Sequence, residues 1–357
     1  MTDRSRHPWR AGAALVVGIV LTAVGIGVGV NQLAARLGPV AIVGLLVLGI
    51  GLVLVVGGVV GLTRAAPGWW RLLVAPAVVI IALIGVYVVA VSLHAAVPAR
   101  AAAPSQPPAG LAVEDVLVPT NDGEQLAAWY LPSRTGAAVI LVPGAGSSRS
   151  GLEEHMRVLA SRGFGVLAVD PRGHGASTGR GMDWGWYGET DIPAAVTYLA
   201  QRADVDPKRI AALGLSMGGE EAIGAAAVDP RIRAVVAEGA TGRCAADLDW
   251  LSEVYGWRGT VTEGLEHAKT AIADLLSPAS PPLLLREAAA AAAPRSILLV
   301  AAGTAPDEQH AAAAIQAAAP GNVDVWVVPG AGHTAGLSTD PAGWADRVLG
   351  FLDDATQ

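Results

Sequence analysis

The chain has 357 residues and a net charge of −7, so it lacks the basic surface that nucleic-acid phosphates reward, which argues against a nucleic-acid partner. A single cysteine, Cys244, leaves no internal disulfide and no Cys-based metal site. Twenty-two Arg against two Lys, with abundant Ala, suggests a high-GC bacterial genome.

The charge is unevenly spread. The first hundred residues hold seven Arg and one acid, Asp3, so the acidity lies downstream. Three runs free of Asp, Glu, Lys and Arg cover Ala11 to Ala35, Leu37 to Thr63 and Leu72 to Ala99, with 25, 27 and 28 residues. About 20 apolar residues cross the roughly 30 Å hydrocarbon core, so residues 1–96 are expected to form a three-span transmembrane anchor. The first run exceeds the roughly 7 to 15 residues of a signal-peptide core, which favours a retained anchor. Gly25, Gly27 and Gly29, echoed by Gly57 and Gly61, suit close helix packing within spans. Arg4, Arg6, Arg10, Arg64 and Arg71 flank one side of the membrane, against Arg36 and Arg100 on the other. That asymmetry places the amino terminus in the cytoplasm and everything beyond Ala99 outside a bacterial cell membrane. No span carries a charged residue that would mark a transport pathway.

Residues 97–110 contain Pro98, Pro104, Pro107 and Pro108 and read as a semi-stiff tether. Beyond it, Glu114 to Val118 and Gln125 to Tyr130 flank Asn121-Asp122-Gly123, a hairpin signal. Strands are then expected at Ala138 to Val142, Val166 to Asp170, Ile210 to Leu215, Ala234 to Ala237, Ile297 to Ala301 and Val323 to Val328, alternating with helical stretches. That order predicts one domain over residues 111–357, a mostly parallel sheet with helices on both faces.

Chemistry concentrates at the carboxyl ends of these strands. Pro143-Gly144-Ala145-Gly146 follows the third strand, where the Ala145 amide can point at a developing oxyanion. Gly214-Leu215-Ser216-Met217-Gly218-Gly219 joins an apolar run to an Ala-rich helical stretch, the setting of a nucleophile elbow that projects Ser216 and offers the Met217 amide as a second oxyanion donor. Gly303-Thr304-Ala305-Pro306-Asp307-Glu308 follows a later strand, and Pro329-Gly330-Ala331-Gly332-His333 follows the last. No Walker loop, no His-Glu-x-x-His and no Cys pair occurs, so neither metal nor cofactor is expected.

Residues from about Val113 to Leu352 resemble the α/β-hydrolase superfamily, most nearly its serine-aminopeptidase and prolyl-oligopeptidase-like branch. The motifs that carry the resemblance are Pro143 to Gly146, Asp170-Pro171-Arg172-Gly173-His174-Gly175-Ala176-Ser177, the elbow at Ser216, and Gly332-His333. It implies an α/β-hydrolase fold and a triad in the chain order Ser, acid, His. Ser216 is then the nucleophile and His333 the base, with Asp307 as the acid; Glu308, one residue on, and Glu238, at the end of the Ala234 to Ala237 strand, are the alternatives. His174 becomes a scaffold residue. The family commonly has His where Pro143 stands, and its Gly-x-x-Asp spacing is one residue shorter than Gly303 to Asp307.

The resemblance also places a helical cap insertion at about 241–293, whose Trp250, Tyr255 and Trp257 are candidates for a substrate pocket, as is the aromatic loop Trp184, Trp186 and Tyr187. The expected activity is hydrolysis of an ester or amide bond in a small-molecule, peptide or lipid acyl substrate. The alternative is a hydrolase fold without catalysis that binds a ligand at the membrane.

Overall fold

A computed structural model describes residues 8–35, 38–103 and 106–357. Asp3, Arg4, Arg6 and Arg36, which enter the charge count across the membrane, and Pro104 of the tether lie outside the described residues. The chain divides into two compact units: Met1–Ala99 with Ala268–Ser277, and Arg100–His267 with Pro278–Gln357.

The first unit contains three helices long and apolar enough to cross a membrane: α1 (Pro8–Leu33), α2 (Pro39–Ala65) and α3 (Gly68–Ala96). In α1 the glycine cluster forms a π-helical turn over Gly25–Val30. Glycine decides how α1 and α2 meet. Gly44, Gly51 and Gly58 recur every seventh residue on α2, opposite Gly29, Thr22 and Leu15 of α1. A side chain at Gly58 would stand 2.7 Å from the Leu15 amide nitrogen, and one at Gly18 of α1 would stand 2.6 Å from that of Val55. The backbones therefore touch along an antiparallel seam, the contact that replaces hydrophobic drive where the solvent is itself apolar.

In the second unit, β1 (Glu114–Pro119) and β2 (Gln125–Leu131) form the expected hairpin, with Gly123 at φ +93° in the turn. There follow β3 (Ala138–Val142), α4 (Glu153–Arg162), β4 (Gly165–Val169), α5 (Gly188–Ala200), β5 (Ile210–Leu215), α6 (Met217–Val228) and β6 (Ile232–Glu238). The insertion between β6 and β7 holds α7 (Leu251–Tyr255), α8 (Trp257–Leu276), whose residues from Ala268 onward are grouped with the first unit, and α9 (Leu285–Ala291). The chain closes with β7 (Ser296–Ala302), α10 (Pro306–Ala318), β8 (Val323–Val328), α11 (Gly336–Thr339) and α12 (Pro341–Ala355).

The eight strands make one sheet in the order β1-β2-β4-β3-β5-β6-β7-β8. Strand β2 is antiparallel to β1 and β4, and all pairs from β4 to β8 are parallel. Each central strand is buried on both faces, which is why β3, β4 and β5 read as unbroken apolar runs. Alternate residues feed two cores. Ile140, Ile210 and Leu299 pack under Ile192 of α5, Ile223 of α6 and Ile315 of α10. Val139, Leu213 and Val300 pack under Met156 of α4 and Trp344 and Val348 of α12. From β3 the chain moves out to β4 and returns to β5 on the other side. The loops leaving β3 and β5 therefore diverge and open a crevice at the carboxyl edge of the sheet.

The glycine seam yields a paired test. Gly51→Leu would drive a side chain into the Thr22 backbone, whereas Gly49 has nothing within 4 Å of an added Cβ. Overpacking costs about 1–3 kcal/mol or more. Gly51→Leu should lower the melting temperature of the detergent-solubilised anchor, followed by circular dichroism, while Gly49→Leu leaves it unchanged.

Candidate active site

The crevice collects the loops after β3, β5, β7 and β8. Ser216 sits at the junction of β5 and α6 with φ 51° and ψ −121°, a conformation that side chains rarely adopt and that persists only when surroundings enforce it. Here the Ser216 amide donates to the Glu238 carbonyl at 2.7 Å, and the Ser216 carbonyl accepts from the Gly219 and Glu220 amides at 2.9 and 3.1 Å. Two glycines make room for the turn. A side chain at Gly214 would strike the Gly218 carbonyl, and one at Gly218 would strike the carbonyls of Val142 and Pro143.

His333 follows β8, and Thr334 beside it is the other described non-glycine residue at positive φ. Its Nε2 lies 2.9 Å from Ser216 Oγ. Its Nδ1 lies 2.6 Å from Glu308 Oε1. The carboxylate on the imidazole is thus Glu308 and not Asp307, the first choice from the sequence. Asp307 instead accepts a hydrogen bond from the Tyr255 hydroxyl. The reason is helical geometry. Both residues lie in the first turn of α10, where successive side chains point about 100° apart, so only one can face the sheet edge. The turn from Gly303 through Pro306 gives that direction to position 308. The Glu308 side chain is buried, and its Oε2 accepts from the Ala302 amide at 2.9 Å.

Glu238, the other alternative acid, spends both carboxylate oxygens on partners other than the imidazole. Its Oε1 accepts from the Gly336 amide at 2.7 Å and its Oε2 from the Trp344 indole at 2.9 Å, which ties β6 to α11 and α12. Burial raises its pKa against the pull of those two bonds. Burial also works to raise Glu308, but the bonds from His333 and Ala302 outweigh it and hold that carboxyl below its ordinary value. In return the Glu308 hydrogen bond raises His333, with burial opposing.

A cavity of about 570 Å³ opens at Ser216 and His333, lined also by Gly144, Ala145, Glu154 and His155. The Ala145 amide makes no backbone hydrogen bond among those of the described turns and loops, and Met217 opens α6, where a first-turn amide has no intrahelical partner. Both are available to an oxygen bound beside Ser216. An imidazole anchored by a carboxylate at one nitrogen and facing a hydroxyl at the other can take that hydroxyl's proton.

The aromatic residues expected in a pocket lie elsewhere. Trp250 packs on His310 and lines a separate cavity of about 190 Å³, Tyr255 is engaged with Asp307, and Trp257 is 74% exposed. In the loop before α5, Trp186 donates to the Arg243 carbonyl at 2.8 Å, and the Arg172 guanidinium stacks over Tyr187. His174 is buried with Nε2 3.1 Å from Asp183, in keeping with a scaffold residue. No motif marks Glu154 and His155, which line the cavity from α4. His155 is buried edge-on against Trp344, and burial lowers its pKa to about 4, so its ring is neutral. Among the described residues no group of three or more His, Cys, Asp or Glu is arranged to hold a metal ion.

Comparison with known proteins bears on the family and the fold. An uncharacterised protein of Mycobacterium tuberculosis is 39% identical over 126 residues, 34% of this chain and 43% of that protein. A polyketide transferase of a Penicillium species is 35% identical over 134 residues, 34% of this chain and 43% of that protein. The chain thus matches less than half the length of these curated relatives. Among solved structures, an esterase of Pyrococcus furiosus superposes with a TM-score of 0.57 at 23% identity, covering 73% of this chain and 98% of the esterase, a likeness of fold. The family model described as "Alpha/beta hydrolase family" matches residues 139–347, more than half of the chain and every strand from β3 to β8, and the chain belongs to that family.

Proposed function

We propose that the protein is a membrane-anchored serine hydrolase that cleaves an ester or amide bond without a cofactor. The observation that carries this reading is the unbroken line from Ser216 Oγ through the His333 ring to the buried Glu308 carboxylate. Ser216 attacks the acyl carbon as His333 Nε2 takes its proton. The Ala145 and Met217 amides hold the oxyanion, a contribution typically worth about 2.7–4 kcal/mol per donor. His333 then returns the proton to the leaving group, and water, activated by the same imidazole, releases the acid and restores Ser216. Glu308 orients the ring and stabilises its cationic form. A purely ligand-binding role has less support, because it leaves the strained backbone at Ser216 without a purpose. The anchoring part of the reading is supported by the three helices long and apolar enough to cross a membrane, and its orientation, with the hydrolase unit outside, by the arginine asymmetry of the sequence.

Three outcomes follow. Labelling of the full chain by a fluorophosphonate should disappear in Ser216→Ala; labelling retained at another serine overturns the nucleophile.

The acid is read from pH dependence. His333 must be neutral to act as base, so kcat/KM falls as the pH drops through its pKa, which Glu308 holds above the ordinary 6.5. Glu308→Gln removes the anion, so the acid limb should move to lower pH while the plateau falls by about 10⁴. Asp307→Asn should change neither by more than about twofold, as expected of an exposed pair.

Topology is checked with protease. Added to spheroplasts, it should degrade the hydrolase unit and leave the anchor. Protection until the membrane is broken would reverse the orientation.

A further inference from the structure

The cavity at Ser216 carries a charge for which the hydrolytic relay has no use. Glu154, in the first turn of α4, lines it with an exposed carboxylate. No other lining residue is acidic, and none is Lys or Arg; apart from His155 and His333 the wall consists of glycine, hydroxyl-bearing and apolar residues. At about 570 Å³ the space has the size of a small-molecule site, whose occupant is largely shielded from water. An anion on such a wall acts on a bound molecule more strongly than one on open surface, because less solvent lies between them.

Nothing within the unit neutralises this charge. Among the described residues the Glu154 carboxylate has no hydrogen-bond or ion-pair partner. The adjacent Glu153 faces Arg157 at 4.0 Å, and Arg157 also donates to the Ala109 carbonyl at 2.7 Å. Arg149, five residues before Glu154, is buried and spends its guanidinium on Asp170 at 2.6 Å and Asp115 at 3.1 Å. His155 cannot supply a counter-charge either. Its two ring nitrogens are buried without a partner among the described residues, and burial keeps the ring neutral. At His333 the charges that act most strongly are those of Glu308, Glu220 and Glu238, all carboxylates. The cavity thus has an unpaired anion on its wall, further carboxylates behind its base and no fixed cation.

We infer that Glu154 selects a substrate with a positive charge: the ester or amide cleaved at Ser216 carries an ammonium group on its acyl part or on its leaving group. This assignment rests on the serine hydrolase reading above. Glu154 stands outside the relay of Ser216, His333 and Glu308, so it is a specificity residue that acts on binding and shows itself in KM.

The test uses the full chain in neutral detergent with two matched pairs of esters. In each pair a trimethylammonium group is replaced by tert-butyl, which has nearly the same shape and no charge. One pair carries the group at the end of the acyl chain of a nitrophenyl ester, the other on the thiol part of a thioacetate. In at least one pair kcat/KM should favour the cation about fivefold at low salt, with the advantage shrinking at about 1 M salt, where screening acts within about 3 Å. The pair that shows it identifies the side of the scissile bond that meets Glu154. Glu154→Gln should bring the ratio to about one through KM, and Glu154→Lys should invert it. Glu153→Gln removes a carboxylate from the same helical turn but outside the cavity, and should keep the ratio. Labelling by an uncharged fluorophosphonate checks that each variant retains a folded site. Equal turnover within both pairs, or a preference that survives Glu154→Gln, overturns the assignment and leaves the serine hydrolase reading standing. If Ser216 is labelled but no ester is turned over, choline and its tert-butyl analogue are compared as competitors of labelling. Stronger protection by choline that is lost in Glu154→Gln supports the assignment, and equal protection overturns it. Absence of both turnover and labelling removes the hydrolase reading and this assignment together.

Discussion

The buried Glu308 carboxylate is the group on which the geometry of the site depends. A carboxylate almost closed to solvent, at 4% exposure, is unfavourable unless its oxygens are hydrogen-bonded. Glu308 divides its two oxygens between the Ala302 amide, at the end of β7, and His333, on the loop after β8. It therefore joins two neighbouring strand ends and sets the plane of the imidazole in one stroke. The other ring nitrogen then meets Ser216, whose own amide is held by the carbonyl of Glu238 at the end of β6. Strands β5, β6, β7 and β8 each contribute one link, so the precision of the site is the precision of a parallel sheet.

Glu238 makes the contrast instructive. It is as buried as Glu308 and close enough for the two carboxylates to feel one another, since Glu308 adds to the rise in the Glu238 pKa. Neutral donors, an amide and an indole, satisfy Glu238, and its net shift is upward. Glu308 has a partner that can become cationic, and its net shift is downward. Two carboxyls at one strand edge are thus separated by partner chemistry, one to brace the scaffold and one to share charge with the imidazole.

Much of this was legible in the sequence because it is written in local backbone demands. The apolar runs of β3, β5 and β7 match buried strands, β8 lies where its run predicts with two of its six residues buried, and the Gly214 to Gly219 pattern is what the crowding around Ser216 requires. Asp307 against Glu308 was not legible. Which of two adjacent acids faces the sheet is set by the phase of α10 as it leaves the Gly303 to Pro306 turn, and a linear pattern does not contain that phase. The position of the pocket aromatics, away from the cavity at Ser216, was illegible for a related reason. Trp250, Tyr255 and Trp257 belong to an insertion whose packing is tertiary, whereas His155 and Glu154 reach the cavity from α4 with no sequence signature beyond ordinary helical residues.

The division between anchor and enzyme is also less clean than the proline-rich stretch suggests. Composition places a boundary across residues 97–110, yet Arg100 and Ala101 already hydrogen-bond the loop after β4. Conversely, Ala268–Ser277, in the middle of the hydrolase sequence, is grouped with the spans. The two parts are also held together by different forces. Hydrophobic burial closes the two cores of the hydrolase unit, one of them around Trp129 and Trp344, while the three apolar helices meet through close glycine-mediated backbone contact, a packing suited to helices that could cross a membrane. A cut at Leu111 would remove Arg100 from the catalytic-edge loop and leave Leu276 without Ala23, Ala90 and Leu93. The division between the two units therefore falls at three places in the chain, before Arg100 and on either side of Ala268–Ser277, because each unit is defined by the contacts its own residues keep and not by where the prolines fall in the sequence.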